Sequence, residues 1–191
     1  MPGLVAPAMS TSGTAISAVV AIAALTYLVA MVLSGTQPVQ RQLATFEARG
    51  VLRTAPERIR RVELSRGSDR ITVVRTGERT WSLADGSVIS AEASKRVSMA
   101  VQMMNTSGPA RVIRSEELAG VDLGGFELER PRIVATLYET SENSILIVRF
   151  GGYNPDGFFQ YMRREGDNNV YLISRFVGDE WMGALDGIVR P

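Results

Sequence analysis

The sequence predicts an α+β fold, with an N-terminal transmembrane helix followed by a mostly antiparallel sheet domain that carries two main helices. Three observations predict it. Met1 to Gln40 holds no charged side chain, and all 21 Lys+Arg and 20 Asp+Glu lie beyond it. Short β-rich runs joined by Gly, Ser and Asp recur after Pro56, as hairpins require. Two later stretches space their apolar residues three and four apart, which is the helical period.

The apolar segment comes first. Ala15 to Leu33 reads AISAVVAIAALTYLVAMVL. At about 1.5 Å per residue it approaches the ~30 Å thickness of a bilayer's hydrocarbon core. A cleavable signal peptide fits less well, because no Lys or Arg precedes the run and it exceeds the roughly 7–15 residues of such a segment. The organisation expected is an N-terminal segment over 1–13, a transmembrane helix over 14–34, a juxtamembrane stem over 35–55 and an extrinsic α+β domain over 56–191. Gly13, Ser17 and Ala21 recur at spacing four, a small-residue ridge that lets another helix approach closely. They are the expected helix-packing interface. Arg41, Arg49 and Arg53 follow the span and none precedes it, which by the positive-inside rule favours a cytoplasmic domain.

The stem, Gln37 to Gly50, reads as a helix closed by Gly50 as its C-cap. Ile59 to Ser65 then alternates, with Val62 and Leu64 facing inward. Arg70 to Arg75 and Thr80 to Leu83 complete a three-stranded meander. Ser90 caps a helix to about Met104, with Val97, Ala100, Val101 and Met104 on its buried face. Arg111 to Arg114 is a short strand and Glu116 to Ala119 a helical turn. Arg132 to Tyr138 alternates again, with Ser144 to Phe150 as the next strand. Gly151 to Gly157 reads as a turn-rich loop. Phe158 to Arg163 and Val170 to Ile173 form a hairpin, and Ser174 opens a last helix with Trp181 and Leu185 inward. The order β-β-β-α then β-β-β-β-α suggests a weak duplication.

Composition narrows the chemistry. There is no Cys and no His, so disulfides, His/Cys metal sites and triads that depend on those residues are excluded. The net charge is +1, which gives no general attraction to nucleic acid. Asp122, Glu127 and Glu129 lack a spacing that would fix an acid pair or a hard-metal site, and they read as solvated loop charges. Gly151-Gly-Tyr-Asn-Pro-Asp-Gly157 lacks the phosphate-loop pattern and contains what a tight turn needs. No catalytic, cofactor-binding or metal residue is assigned, and no cofactor is expected. Phe158 and Phe159 are neighbours on a strand and must point oppositely, so the sheet brings only one of them to the core. Tyr153, Phe158, Phe159 and Tyr161 are therefore the expected extrinsic interface.

Part of the chain resembles a known family. The stretch GFELERPRIVATL, with Gly125, Pro131 and Val134 to Leu137, and the block FGGYNPDGFFQYMRREGDNNVYLI resemble a bacterial membrane-anchored domain family of unknown function. That family is also found in auxiliary proteins of gliding-motility ABC transporters. Trp81-Ser-Leu83 fits as well, and the likeness runs from about Glu57 to Leu185. It implies an N-terminal anchor, an extracytoplasmic domain and no catalytic residues. Against the arginine count, the localisation expected is the bacterial inner membrane, single-pass, with a periplasmic domain. The function expected is that of a non-catalytic accessory or scaffold subunit of a larger bacterial membrane complex, respiratory or photosynthetic. The alternative is an auxiliary component of an ABC-type transport system. The expected partners are integral membrane subunits and the lipid bilayer, not nucleic acid.

Overall fold

The computed structural model describes residues 11–33, 50–140 and 143–190. The chain divides into two compact units, Met1–Phe46 and Glu47–Pro191.

In the first unit the described part is one helix, α1 (Thr11–Leu33), 23 residues long. Its described side chains, over 16–31, are all exposed, and the exposed large apolar ones include Ile16, Val19, Val20, Ile22 and Leu25. Thr26 turns its hydroxyl back to the Ile22 carbonyl at 2.8 Å, so this polar group needs no outside partner. Among the described residues no helix is long and apolar enough to cross a membrane. The backbone of α1 nevertheless covers Gly13, Ser17 and Ala21, and the spacing of four sets them on one face. The expected N-terminal segment up to Ser10 and the stem from Gly35 to Arg49 lie outside the described residues.

The second unit is a single eight-stranded antiparallel sheet with two helices. Its strands are β1 (Arg61–Arg66), β2 (Asp69–Arg75), β3 (Trp81–Leu83), β4 (Arg111–Ile113), β5 (Ile133–Tyr138), β6 (Ser144–Tyr153), β7 (Phe159–Arg164) and β8 (Val170–Ser174). Their order across the sheet is β3-β2-β1-β5-β6-β7-β8-β4. Two meanders therefore meet at the β1–β5 pair, where Val62 lies opposite Leu137 and Leu64 opposite Ala135. The expected duplication is not a symmetric division of this sheet. The first meander supplies three strands and the second four, while β4 crosses to the far edge to pair with β8.

Alternation decides which face is dry. Val62, Leu64, Ile133, Ala135, Leu137, Val148, Phe150, Met162 and Ile173 are fully buried. They face α2 (Ala91–Thr106) and α3 (Arg175–Val189), which bury Val97, Ala100, Val101 and Met104 on one side and Val177, Trp181, Ala184 and Leu185 on the other. The Ser90 hydroxyl accepts from the Ala93 N–H at 3.1 Å, as an N-cap should. Ser174 holds the corresponding position before α3 but makes no side-chain cap. The two helices run antiparallel: Arg96 reaches Glu180 at 3.4 Å, and a Cβ on Gly187 would lie 3.6 Å from the Ala93 Cβ.

The domain starts earlier than the expected residue 56. Leu52 belongs to the core, its N–H donates to the Met104 carbonyl at 2.9 Å, and the Gly50 N–H donates to the Asn105 carbonyl at 2.8 Å. Asn105, itself buried, gives its amide to the carbonyls of Leu52 and Thr54 at 3.0 and 3.3 Å. Gly50 is also a point of close approach, where a Cβ would sit 2.2 Å from the Met104 carbonyl oxygen; the stem helix it was expected to cap lies outside the described residues.

Candidate functional site

Residues 115–131 leave β4 and pass over the face of the sheet opposite the helices. The expected helical turn at Glu116 to Ala119 is present as a run of turns. A 3₁₀ turn at Leu123–Phe126, which the sequence reading did not anticipate, follows it. Asp122 caps that turn by accepting the Gly124 N–H at 2.9 Å. Leu118, Leu123 and Leu128 then close over Val170 of β8, leaving a cavity of about 150 Å³ rimmed by Glu129, Arg149, Arg163 and Asn168. Its guanidinium groups are engaged within the protein. Arg149 pairs with Glu165 at 2.8 Å, and Arg163 donates to Asn168 Oδ1 at 3.1 Å.

At the next position along this face the sequence reading needs correction. Gly151, Gly152 and Tyr153 are not the start of a loop but the last residues of β6, and both glycines are buried. The register of β6 on β7 shifts between Phe150 and Tyr153. A bulge of this kind re-aims the strand, and here the Phe126 carbonyl presses on it, since a Cβ on Gly151 would lie 2.1 Å from that oxygen. The turn proper is Asn154 to Gly157. Asn154 Oδ1 accepts the Phe159 N–H at 2.9 Å, and Gly157 adopts φ +71°.

The bulge delivers Tyr153 into a charged cluster. Its hydroxyl donates to Asp179 Oδ1 at 2.6 Å, and Arg175 Nε donates to the other carboxylate oxygen at 3.0 Å. The guanidinium of Arg132 lies 4.7 Å from the centre of the Tyr153 ring and that of Arg175 5.0 Å. Arg132 in turn grips Glu127 with two hydrogen bonds, at 2.9 and 3.3 Å. Burial, followed by the hydrogen bond to the Asp179 carboxylate, pushes the Tyr153 phenol up. The hydrogen bonds from Arg132 hold the Glu127 carboxyl down. A phenol held protonated beside a satisfied carboxylate fastens β6 to the first turn of α3, and its chemistry is that of a clamp.

The four expected interface aromatics therefore separate. Tyr153 is part of this cluster. Tyr161 stacks on Phe126, centroids 4.5 Å apart, and holds the 3₁₀ turn down. Phe159 is half-buried on the same outer face. Phe158 is 71% exposed. The expectation that one of the adjacent phenylalanines enters the core is corrected: the inward positions of β7 are Gln160 and Met162, both fully buried. Phe158 has the inward parity but precedes the strand, beyond the part of the sheet that the helices cover. Phe176, 64% exposed in the first turn of α3, was missed. Its only sequence signal is its place outside the helix's apolar face. The acidic residues also separate, with Asp122 in a cap, Glu127 on Arg132 and Glu129 at the cavity rim. Among the described residues no group of three or more Asp or Glu side chains is placed to hold a metal ion.

Comparison with known proteins finds no matching family model, curated protein or solved structure.

Proposed function

We propose that this chain is a membrane-anchored accessory subunit of a larger bacterial membrane complex, acting as a scaffold rather than as a catalyst. The observation that carries the reading is the pairing of an uncharged N-terminal helix, Thr11–Leu33, with a separate folded unit that holds all of the charged residues described. The span is read from the sequence: Ala15 to Leu33 is an uncharged run whose length at about 1.5 Å per residue approaches a ~30 Å hydrocarbon core. The described side chains on it are exposed and mostly apolar, which favours a lipid or protein environment. In the domain, Arg132 holds the 115–131 segment through Glu127, and Tyr153 ties β6 to α3 through Asp179.

On this reading the helix sits in the bacterial inner membrane with the domain on the periplasmic side, and Gly13, Ser17 and Ala21 face a neighbouring helix. Its partners are integral membrane subunits and the surrounding lipid, in a respiratory or photosynthetic assembly. The test is affinity capture of the tagged full chain from native membranes in mild detergent, followed by the same capture with Ser17→Leu and Ala21→Leu. The expected result is a stoichiometric set of membrane subunits whose recovery falls with the leucine variants while membrane insertion is unchanged. Capture of transporter subunits instead would move the assignment to a transport auxiliary. Capture of nothing beyond background would remove the scaffold reading.

A further inference from the structure

We propose that the cavity beneath the 115–131 segment binds a free α-amino acid with a branched aliphatic side chain. The site lies wholly within the second unit. The proposal therefore goes beyond the accessory reading and depends neither on the anchor nor on its partners.

The floor of the cavity is apolar. Leu128 and Val170 are buried, Leu118 and Leu123 are half-buried, and the space they border is about 150 Å³. Such side chains give water no hydrogen-bond partner, and a hydrocarbon-lined space of this size takes an apolar group instead. At the ~30 Å³ that one water occupies in the liquid, there is room for about five non-hydrogen atoms. That is the size of a branched aliphatic side chain.

The mouth carries both signs of charge. Arg149 of β6 and Arg163 of β7 are direct cross-strand partners, and like charges set opposite each other disfavour the pairing. Each is held by a neighbour and keeps donors in hand. Arg149 uses Nη2 on Glu165 at 2.8 Å, a half-exposed pair of the kind that contributes little. Arg163 uses Nε on the Asp167 carbonyl at 3.2 Å and Nη2 on Asn168 Oδ1 at 3.1 Å, which leaves Nη1. A carboxylate at this mouth relieves the repulsion and accepts the remaining N–H groups in charge-assisted bonds. Glu129 completes the rim. It is exposed and makes no hydrogen bond or ion pair among the described residues. The acids of the adjoining hairpin are already engaged, Glu165 by Arg149 and Asp167 by the Tyr171 hydroxyl and the Asn169 N–H. Glu129 is thus the acceptor left for an ammonium. An α-amino acid bears carboxylate, ammonium and side chain on one carbon, which matches the arginine pair, Glu129 and the leucine floor together. A plain fatty acid sets its carboxylate against Glu129, and a plain amine leaves the arginine repulsion in place.

The experiment is an NMR titration of the full chain in detergent, which reads millimolar affinities and locates them. The probes share one carbon skeleton: L-leucine, 4-methylpentanoate, which lacks the ammonium, and isoamylamine, which lacks the carboxylate. Leucine is expected to shift the amides of Leu123, Leu128 and Val170 with a Kd of about 1 mM or below. Each truncated probe is expected to bind at least about tenfold more weakly. Two substitutions at exposed or half-exposed side chains cross-check the contacts without disturbing the core. Glu129→Gln should weaken leucine about tenfold and leave 4-methylpentanoate no weaker. Arg149→Gln should weaken leucine by a similar factor and leave isoamylamine no weaker. Absence of any shift at about 10 mM leucine, or shifts confined to residues away from the cavity, would overturn the proposal. So would 4-methylpentanoate or isoamylamine binding as tightly as leucine, or leucine affinity indifferent to either substitution. None of these results bears on membrane capture, so this proposal and the accessory reading fail separately.

Discussion

Gly178→Ala should unfold the domain more readily, although alanine is the better helix former. Gly178 sits in α3 directly over the buried side chain of Gln160. A Cβ there would lie 1.8 Å from Gln160 Oε1 and 2.8 Å from its Cδ. Gln160 cannot yield without loss, because it is fully buried and its Nε2 donates to the Gly151 carbonyl at 2.9 Å. Its Oε1 already has no hydrogen-bond partner. Displacing the amide leaves the Gly151 carbonyl unpaired as well, at about 1–3 kcal/mol. Overpacking adds about 1–3 kcal/mol, and the helix propensity of alanine returns about 1 kcal/mol. The net loss is about 1–5 kcal/mol, or a fall in Tm of about 3–20 °C for a domain of this size. Near-UV circular dichroism of the full chain in detergent, followed through thermal unfolding, reads the buried Trp181 and checks the value. The decisive comparison is the same substitution in a Gln160→Ala background. With the amide gone the added methyl meets open space, and Gly178→Ala should then be neutral or stabilising by up to about 1 kcal/mol. An undiminished loss in that background, or no loss in the parent, would refute the reasoning.

Four further outcomes are expected. Gly151→Ala should push the Phe126 carbonyl off the bulge, and limited proteolysis should then cut within 115–131 before the rest of the domain. Asn105→Ala should leave the Leu52 and Thr54 carbonyls unpaired, costing about 1–3 kcal/mol, and hydrogen exchange should speed up first at the Gly50 and Leu52 amides. Asp186 is held below the ordinary aspartate range, chiefly by the hydrogen bond from Arg66 at 2.7 Å and then by that residue's charge. A depressed carboxyl stabilises the fold above its unfolded pKa, and the contribution is lost as pH falls through the lower folded value. Arg66→Leu should therefore flatten the acid limb of the stability curve and return the Asp186 titration, followed by NMR, to the ordinary range. Protease added to intact spheroplasts should remove the domain and leave a short membrane fragment, whereas digestion only after lysis would put the domain in the cytoplasm.

Local pattern in the sequence determined the elements of this protein. The alternation of Val62 and Leu64, and of Ile133, Ala135 and Leu137, identifies inward faces because successive strand residues point oppositely. The three-and-four spacing from Val97 to Met104 and the serine before it mark α2 for equally local reasons. The absence of charge before Arg41 and the absence of Cys and His are likewise properties of composition. Only the tertiary structure decided what long-range contact imposes. Nothing local sends β4 across to β8 or sets β1 against β5, since strand order follows from which apolar faces fit together under the helices. Gly151 and Gly152 look like turn residues by composition. They lie in β6, where the 115–131 segment leaves no room for larger residues: a Cβ on Gly151 would meet the Phe126 carbonyl and one on Gly152 the Glu127 side chain. Arg66 meets Asp186 across 120 residues, and Tyr153 meets Asp179 only because the bulge turns it toward α3. Phe158 and Phe176 are unremarkable in the chain. They come together because the Arg175 N–H donates to the Phe158 carbonyl, where the hairpin meets the start of α3.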